Sequence, residues 1–129
     1  MTTQPEGRIT GRILLAEDDD SMRLFLERAI SRAGYDVVAV DRGTAALPHI
    51  ATGGFGLLLT DIVMPEMDGI ELAQRAAQLA PSMRVMFITG FAAVALSRGS
   101  GAPSDAKVLS KPFHLRDLVA EIDRIFDGE

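Results

Sequence analysis

Four short apolar runs each end in side chains that can do chemistry. Ile13-Leu14-Leu15-Ala16 runs into Glu17-Asp18-Asp19-Asp20, and Leu57-Leu58-Leu59-Thr60 into Asp61. Val85-Met86-Phe87-Ile88 ends in Thr89, and the shorter Val108-Leu109 leads into Ser110-Lys111-Pro112. If these runs are strands of one sheet, its edge carries carboxylates, a hydroxyl and an ammonium. Clustered carboxylates repel one another and hold a hard divalent cation such as Mg²⁺, which takes oxygen ligands at roughly 2.0–2.1 Å. A carboxylate can also attack phosphorus to give an aspartyl phosphate, and Asp61 is the candidate nucleophile. Phosphoryl transfer asks mainly for positioning and charge stabilisation. Lys111 can supply a point charge to the phosphoryl oxygens, and the Thr89 hydroxyl can donate a hydrogen bond to them.

Each of these residues has an ordinary explanation when taken alone. Acidic runs favour helix N-termini, and a lone Asp after a strand is commonly a turn residue. Thr89 and Lys111 singly are a strand threonine and a surface lysine. Only their joint placement at strand ends points to a site, because open α/β sheets bind ligands outside the carboxyl ends of their strands.

The elements that must position them follow from periodicity. The apolar runs, with Val37-Val38-Ala39-Val40, are nearly continuous, as strands covered on both faces require. Between the first two, Met22, Phe25, Leu26, Ala29, Ile30 and Ala33 recur at helical spacing. Asp20 or Ser21 is placed to cap that helix and Gly34 to close it. A second helix is expected over about 42–52, shortened or kinked by Pro48. A third starts at Asp68, with Glu71 completing a capping-box pattern, and stops at Ala80-Pro81. A short helix is expected over 92–98, followed by a Gly/Ser/Pro loop at 99–104. The last helix carries Leu115, Leu118, Val119, Ile122 and Phe126 on one stripe. The order βαβαβαβαβα predicts an α/β fold, a (βα)5 doubly wound parallel sheet. Residues 12–127 are expected to form one domain, behind a disordered N-terminal leader at 1–11.

Composition narrows the function. The 129 residues are 47% hydrophobic and 24% charged, which suits a packed globular core. A net charge of −5 argues against gripping nucleic acid through its phosphates. The absence of cysteine removes disulfides and thiolate metal sites. No run approaches the roughly 18 apolar residues of a membrane span, and no secretory signal is visible. A cytoplasmic protein without membrane or nucleic-acid partners is the expectation.

The chain resembles the bacterial response-regulator receiver family over about residues 12–127. The resemblance rests on Ile13-Leu14-Leu15-Ala16-Glu17-Asp18-Asp19, Leu58-Leu59-Thr60-Asp61-Ile62-Val63-Met64-Pro65-Glu66-Met67-Asp68-Gly69, Val85-Met86-Phe87-Ile88-Thr89-Gly90 and Lys111-Pro112-Phe113, in order and with family spacing. It implies a flavodoxin-like strand order 2-1-3-4-5 and phosphorylation of Asp61. It implies Mg²⁺ bound by Asp18, Asp61 and the backbone carbonyl of Val63, with Glu17 acting through water. Thr89 and Lys111 become the switch hydroxyl and phosphate-binding lysine, and the Lys111-Pro112 bond is expected to be cis. Implied partners are a histidine kinase or histidine phosphotransferase. Further likeness at 16–23, 87–96 and 107–118 is to a group of stand-alone alphaproteobacterial receivers tied to cell-cycle control. Those prime the ClpXP protease for selected substrates when unphosphorylated. A monomer or weak dimer is expected, with output by protein contacts on the face formed from 90–127.

Two departures stand out. Many receivers have an aromatic residue three positions before the lysine, where this chain has Val108; Phe91 is the candidate to take over that role. Gly90 and the loop at 99–104 predict a soft segment from 90 to 105. Two rival readings fit the residues less well. Haloacid-dehalogenase-type hydrolases want a second Asp two residues after the first, a position held here by Val63, so enzymatic turnover is not expected beyond weak self-dephosphorylation. A phosphate-independent adaptor on a receiver fold fits poorly with a complete acidic, Thr and Lys set.

Overall fold

The computed structural model describes residues 11–90, 99, 101–103 and 105–127. Its described strands are β1 (Arg12–Ala16), β2 (Asp36–Val40), β3 (Leu57–Thr60), β4 (Arg84–Thr89) and β5 (Lys107–Ser110). The described helices are α1 (Asp20–Arg32), α2 (Gly43–Thr52), α3 (Gly69–Leu79) and α4 (Leu115–Phe126). The strands form one parallel sheet in the order β2-β1-β3-β4-β5, as the family resemblance implies. The leader expected at 1–11, apart from Gly11, and the helix expected over 92–98 lie outside the described residues.

Alternation along the strands builds two cores. Leu14, Leu58, Val85 and Phe87 point to one face, where Ala46 and Ile50 of α2 and Leu72, Ala73 and Ala76 of α3 cover them. Ile13, Leu15, Leu57, Leu59, Met86 and Ile88 point to the other, against Leu26 and Ile30 of α1 and Leu118, Ile122 and Ile125 of α4. That two-sided burial explains why these strands read as unbroken apolar runs. Full burial of each Leu or Ile contributes about 1.5–3 kcal/mol.

Local departures from the sequence reading have physical causes. Asp19, not Asp20 or Ser21, caps α1: its carboxylate accepts the Met22 N–H at 2.8 Å. Gly34 closes that helix with φ 104°. Helix α2 runs on through Pro48 for ten residues rather than being shortened by it. Buried Ala46 and Ile50 hold it on the sheet, so packing outweighs the missing N–H. Asp68 caps α3 by accepting the Glu71 N–H at 2.8 Å, as its spacing predicts. Among the described residues, no helix is long and apolar enough to cross a membrane.

Candidate functional site

Strand register sets the site. Ala16 of β1 lies beside Thr60 of β3, so the residues that follow them, Glu17 and Asp61, emerge side by side. On the far side of β3, Thr89 ends β4 opposite Ser110 of β5, and Lys111 follows directly. The Lys111 N–H donates to the Thr89 carbonyl at 2.9 Å, and the Lys111–Pro112 bond is cis.

The acids come together as their spacing suggests. Carboxylate oxygens of Glu17, Asp18 and Asp61 lie within 4.8 Å of one another. Glu17 and Asp61 are buried and Asp18 is exposed, so the cluster opens to solvent on one side. The Ile62 N–H donates to Asp61 Oδ1 at 2.7 Å. Lys111 Nζ donates to Asp61 Oδ2 at 2.9 Å and sits 3.7 Å from Glu17 Oε1. Thr89 is fully buried at the end of β4.

Charge in this pocket is under tension. Burial pushes the Glu17 carboxyl above its ordinary range. The Asp19 N–H, donating to it at 3.1 Å, and the Lys111 charge only partly oppose that push, and the charges of Asp61 and Asp18 add to it. For Lys111, burial pulls the ammonium down. The hydrogen bond to Asp61 and the charges of Glu17 and Asp61 outweigh that pull, leaving it above the usual lysine value.

These residues fit a hard cation. The donors are all oxygen, and three carboxylates converge from two strand ends. Glu17 Oε1 is buried and accepts no hydrogen bond among the described residues. Such a set suits Mg²⁺, which prefers a few carboxylates with retained water, better than a soft metal.

Three supporting parts were not singled out by sequence reasoning. Arg23 donates through Nη1 to the Glu17 carbonyl at 3.0 Å and through Nη2 to Asp20 at 2.7 Å, holding the acidic turn against α1. The Ile62 amide acts through backbone, which residue types do not reveal. Gly69 donates its N–H to the Ile62 carbonyl at 2.7 Å, and a Cβ there would fall 2.0 Å from the Asp61 carbonyl oxygen. Its signal was available: a glycine at the first position of a helix asks for a close backbone approach.

Of the other sequence-predicted residues, Val108 is half-buried and packs against the core beneath α2 and α3. Pro112 and Phe113 join Met22, Phe25 and Lys111 around a cleft of about 420 Å³. Val63, two residues after Asp61, is 54% exposed. Phe91 lies outside the described residues. Phe25, expected on the apolar face of α1, is 52% exposed. It also borders a groove of about 720 Å³ between α1 and α4, lined by Leu24, Leu115 and Val119 and by Arg28, Arg32 and Arg116.

A five-stranded 2-1-3-4-5 sheet carries the acidic cluster and the lysine at one edge, and comparison with known proteins gives the family. Residues 13–123 match the response regulator receiver domain, and the chain belongs to that family. It is 63% identical, over 114 residues, to the response regulator receiver protein CpdR of Brucella abortus (strain 2308), covering 88% of this chain and 95% of that protein. It is 34% identical over 121 residues to the sensor kinase CckA of the same strain, where it spans 91% of this chain but 13% of the kinase. Among solved structures, a CheY-like receiver domain protein from Methanospirillum hungatei JF-1 superposes with a TM-score of 0.79 at 32% identity, covering 90% of this chain and 93% of that one. The chain is therefore a two-component response regulator homologous to CpdR. Members of this family bind Mg²⁺ at an acidic pocket and are generally not catalytic enzymes.

Proposed function

We propose that this chain is a phosphorylation switch in which Asp61 accepts a phosphoryl group from a phosphohistidine donor. The observation that carries the reading is the convergence of Glu17, Asp18 and Asp61 within 4.8 Å, with Lys111 Nζ already on Asp61. Asp18, Asp61 and the Val63 carbonyl would hold Mg²⁺, with Glu17 acting through water; the ion would neutralise the charge that the phosphoryl oxygens bring in.

The chain's own residues supply the remaining chemistry. An Asp61 carboxylate oxygen forms a bond to phosphorus as the P–N bond to the donor imidazole breaks, and the bonding pair returns to the imidazole nitrogen. The Ile62 N–H keeps the carboxylate oriented during the attack. The Lys111 ammonium is drawn from the carboxylate towards the phosphoryl oxygens, and the Thr89 hydroxyl donates to them. Because Thr89 and Lys111 are joined through backbone at the ends of β4 and β5, their movement alters the surface those strands support. Only contacts that differ between the two states can shift the population.

A phosphohistidine donor must approach the open, Asp18 side of the cluster. The groove between α1 and α4 gives it a place to rest, since Phe25 borders both this groove and the cleft at Lys111. At 63% identity to CpdR, the output we favour is that group's: control of ClpXP-dependent proteolysis in the cell cycle, with the unphosphorylated form engaging ClpX. The test is capture of ClpX by the chain with and without Mg²⁺ and beryllofluoride. Capture by the untreated chain, lost on treatment, supports the reading. Equal capture by the wild-type chain in both states, or loss of capture on treatment that persists in an Asp61→Ala variant, defeats phosphate control at Asp61.

A further inference from the structure

The loop between Asp61 and α3 contains one strained residue, and its supports come from elsewhere. Glu66 has φ 72°, and the Met67 N–H donates to the Pro65 carbonyl at 2.7 Å across it. A three-residue turn closed over a positive φ is the rare and strained γ-turn. Glutamate gains nothing from that conformation, which asparagine or glycine would take more readily. Something outside the loop must hold it.

Three consecutive residues at the start of α2 do so. The Thr44 hydroxyl donates to Glu66 Oε1 at 3.0 Å. Arg42 Nη1 lies 3.6 Å from Glu66 Oε2, with Asp41 bracing the same guanidinium from Nε at 3.0 Å. Between them, Gly43 packs so closely that a Cβ there would sit 3.2 Å from the Met67 carbonyl oxygen. Each exposed ion pair is weak singly. Here both carboxylate oxygens of one left-handed residue are held while its neighbour's backbone is packed from the same helix end.

We infer that Glu66 is a latch. Arg42 and Thr44 act through it as positioning residues for the loop that presents the Val63 carbonyl, three residues upstream, to the divalent cation. The inference rests on the metal reading above and adds residues that touch neither metal nor phosphoryl group. Without the latch the loop relaxes, and apparent affinity for the ion falls with the fraction of chains holding the competent loop.

The test is Mg²⁺ titration of the unphosphorylated full chain by calorimetry, alongside metal-free thermal unfolding. Glu66→Ala should bind Mg²⁺ about five- to tenfold more weakly, because alanine pays the left-handed penalty with no support. Thr44→Val should fall in between. Glu66→Gly should stay within about twofold of wild type, because glycine takes a positive φ unaided. Wild-type affinity in Glu66→Ala would overturn the latch. So would an equal loss in Glu66→Gly, which would show the carboxylate's charge acting rather than the turn. A wild-type chain that takes up no Mg²⁺ would overturn the metal reading and the latch with it.

Discussion

Lys111 Nζ sits 2.9 Å from Asp61 Oδ2 across 50 residues of sequence, so the proposed phosphoacceptor is already paired with an ammonium. The other carboxylate oxygen is held by the Ile62 amide at 2.7 Å. On the proposed reading, phosphorylation would exchange one partner of Lys111 for another, and that exchange would link chemistry at β3 to movement at β5. Lys111→Met should leave Mg²⁺ binding equal to or tighter than wild type, because a competing positive charge is gone. The same variant should accept phosphate from acetyl phosphate at least about tenfold more slowly, from the lost charge stabilisation. Mg²⁺ calorimetry and the rate of phosphoryl incorporation separate the two effects.

Glu17 costs the metal-free fold stability. Burial raises its carboxyl above the ordinary range, so the folded chain holds that proton more tightly than the unfolded one. Stability is therefore lost as pH rises from the ordinary carboxylate value through the raised one. Glu17→Gln should raise the melting temperature in EDTA by roughly 2–5 °C at neutral pH. The gain should vanish below the ordinary carboxylate range. The same variant should bind Mg²⁺ about tenfold or more weakly, as loss of a supporting ligand does.

Gly69→Ala should be among the most damaging single substitutions. Its Cβ would run into the Asp61–Ile62 backbone, at 2.0 Å from the Asp61 carbonyl oxygen and 2.9 Å from Ile62 Cα. Backbone cannot move aside as a flexible side chain can, so a loss of about 3 kcal/mol or failure to fold is expected. Urea unfolding measures it, and a loss below about 1 kcal/mol would mean the loop is softer than its contacts indicate.

Much of this was legible beforehand, and the failures share a cause. Leu57, Leu58 and Leu59 announced a strand buried on both faces, and Asp68 with Glu71 announced the start of α3, because periodicity and capping are local signals. Helix α2 defied Pro48 because tertiary packing of Ala46 and Ile50 outweighs one missing hydrogen bond. Phe25 falls by spacing on the apolar face of α1 yet stands half-exposed, since spacing fixes a helix face but not what covers it. Within the site, side chains could be read and backbone could not. Asp61, Glu17, Asp18 and Lys111 were named from type and position, whereas the Ile62 amide, the approach of Gly69 and the turn at Glu66 depend on the path of the chain.

Phe25 tests the docking groove separately from the chemistry. It is 52% exposed, so Phe25→Asp should change stability by no more than about 0.5 kcal/mol. Phosphorylation by acetyl phosphate, which needs no protein surface, should be unchanged. Transfer from a phosphorylated histidine kinase or phosphotransferase should slow by about tenfold or more, the effect of losing a central apolar anchor. Equal rates from the protein donor would move the docking face elsewhere.

The most direct trial of the central claim is site mapping of the phosphoryl group. The chain is incubated with acetyl phosphate and Mg²⁺, the acyl phosphate is trapped by borohydride reduction, and the modified residue is located by peptide mass spectrometry. Modification at Asp61 alone, abolished by EDTA and absent from Asp61→Asn, is the result this account predicts. Modification at another carboxylate, or undiminished modification without a divalent ion, would contradict it.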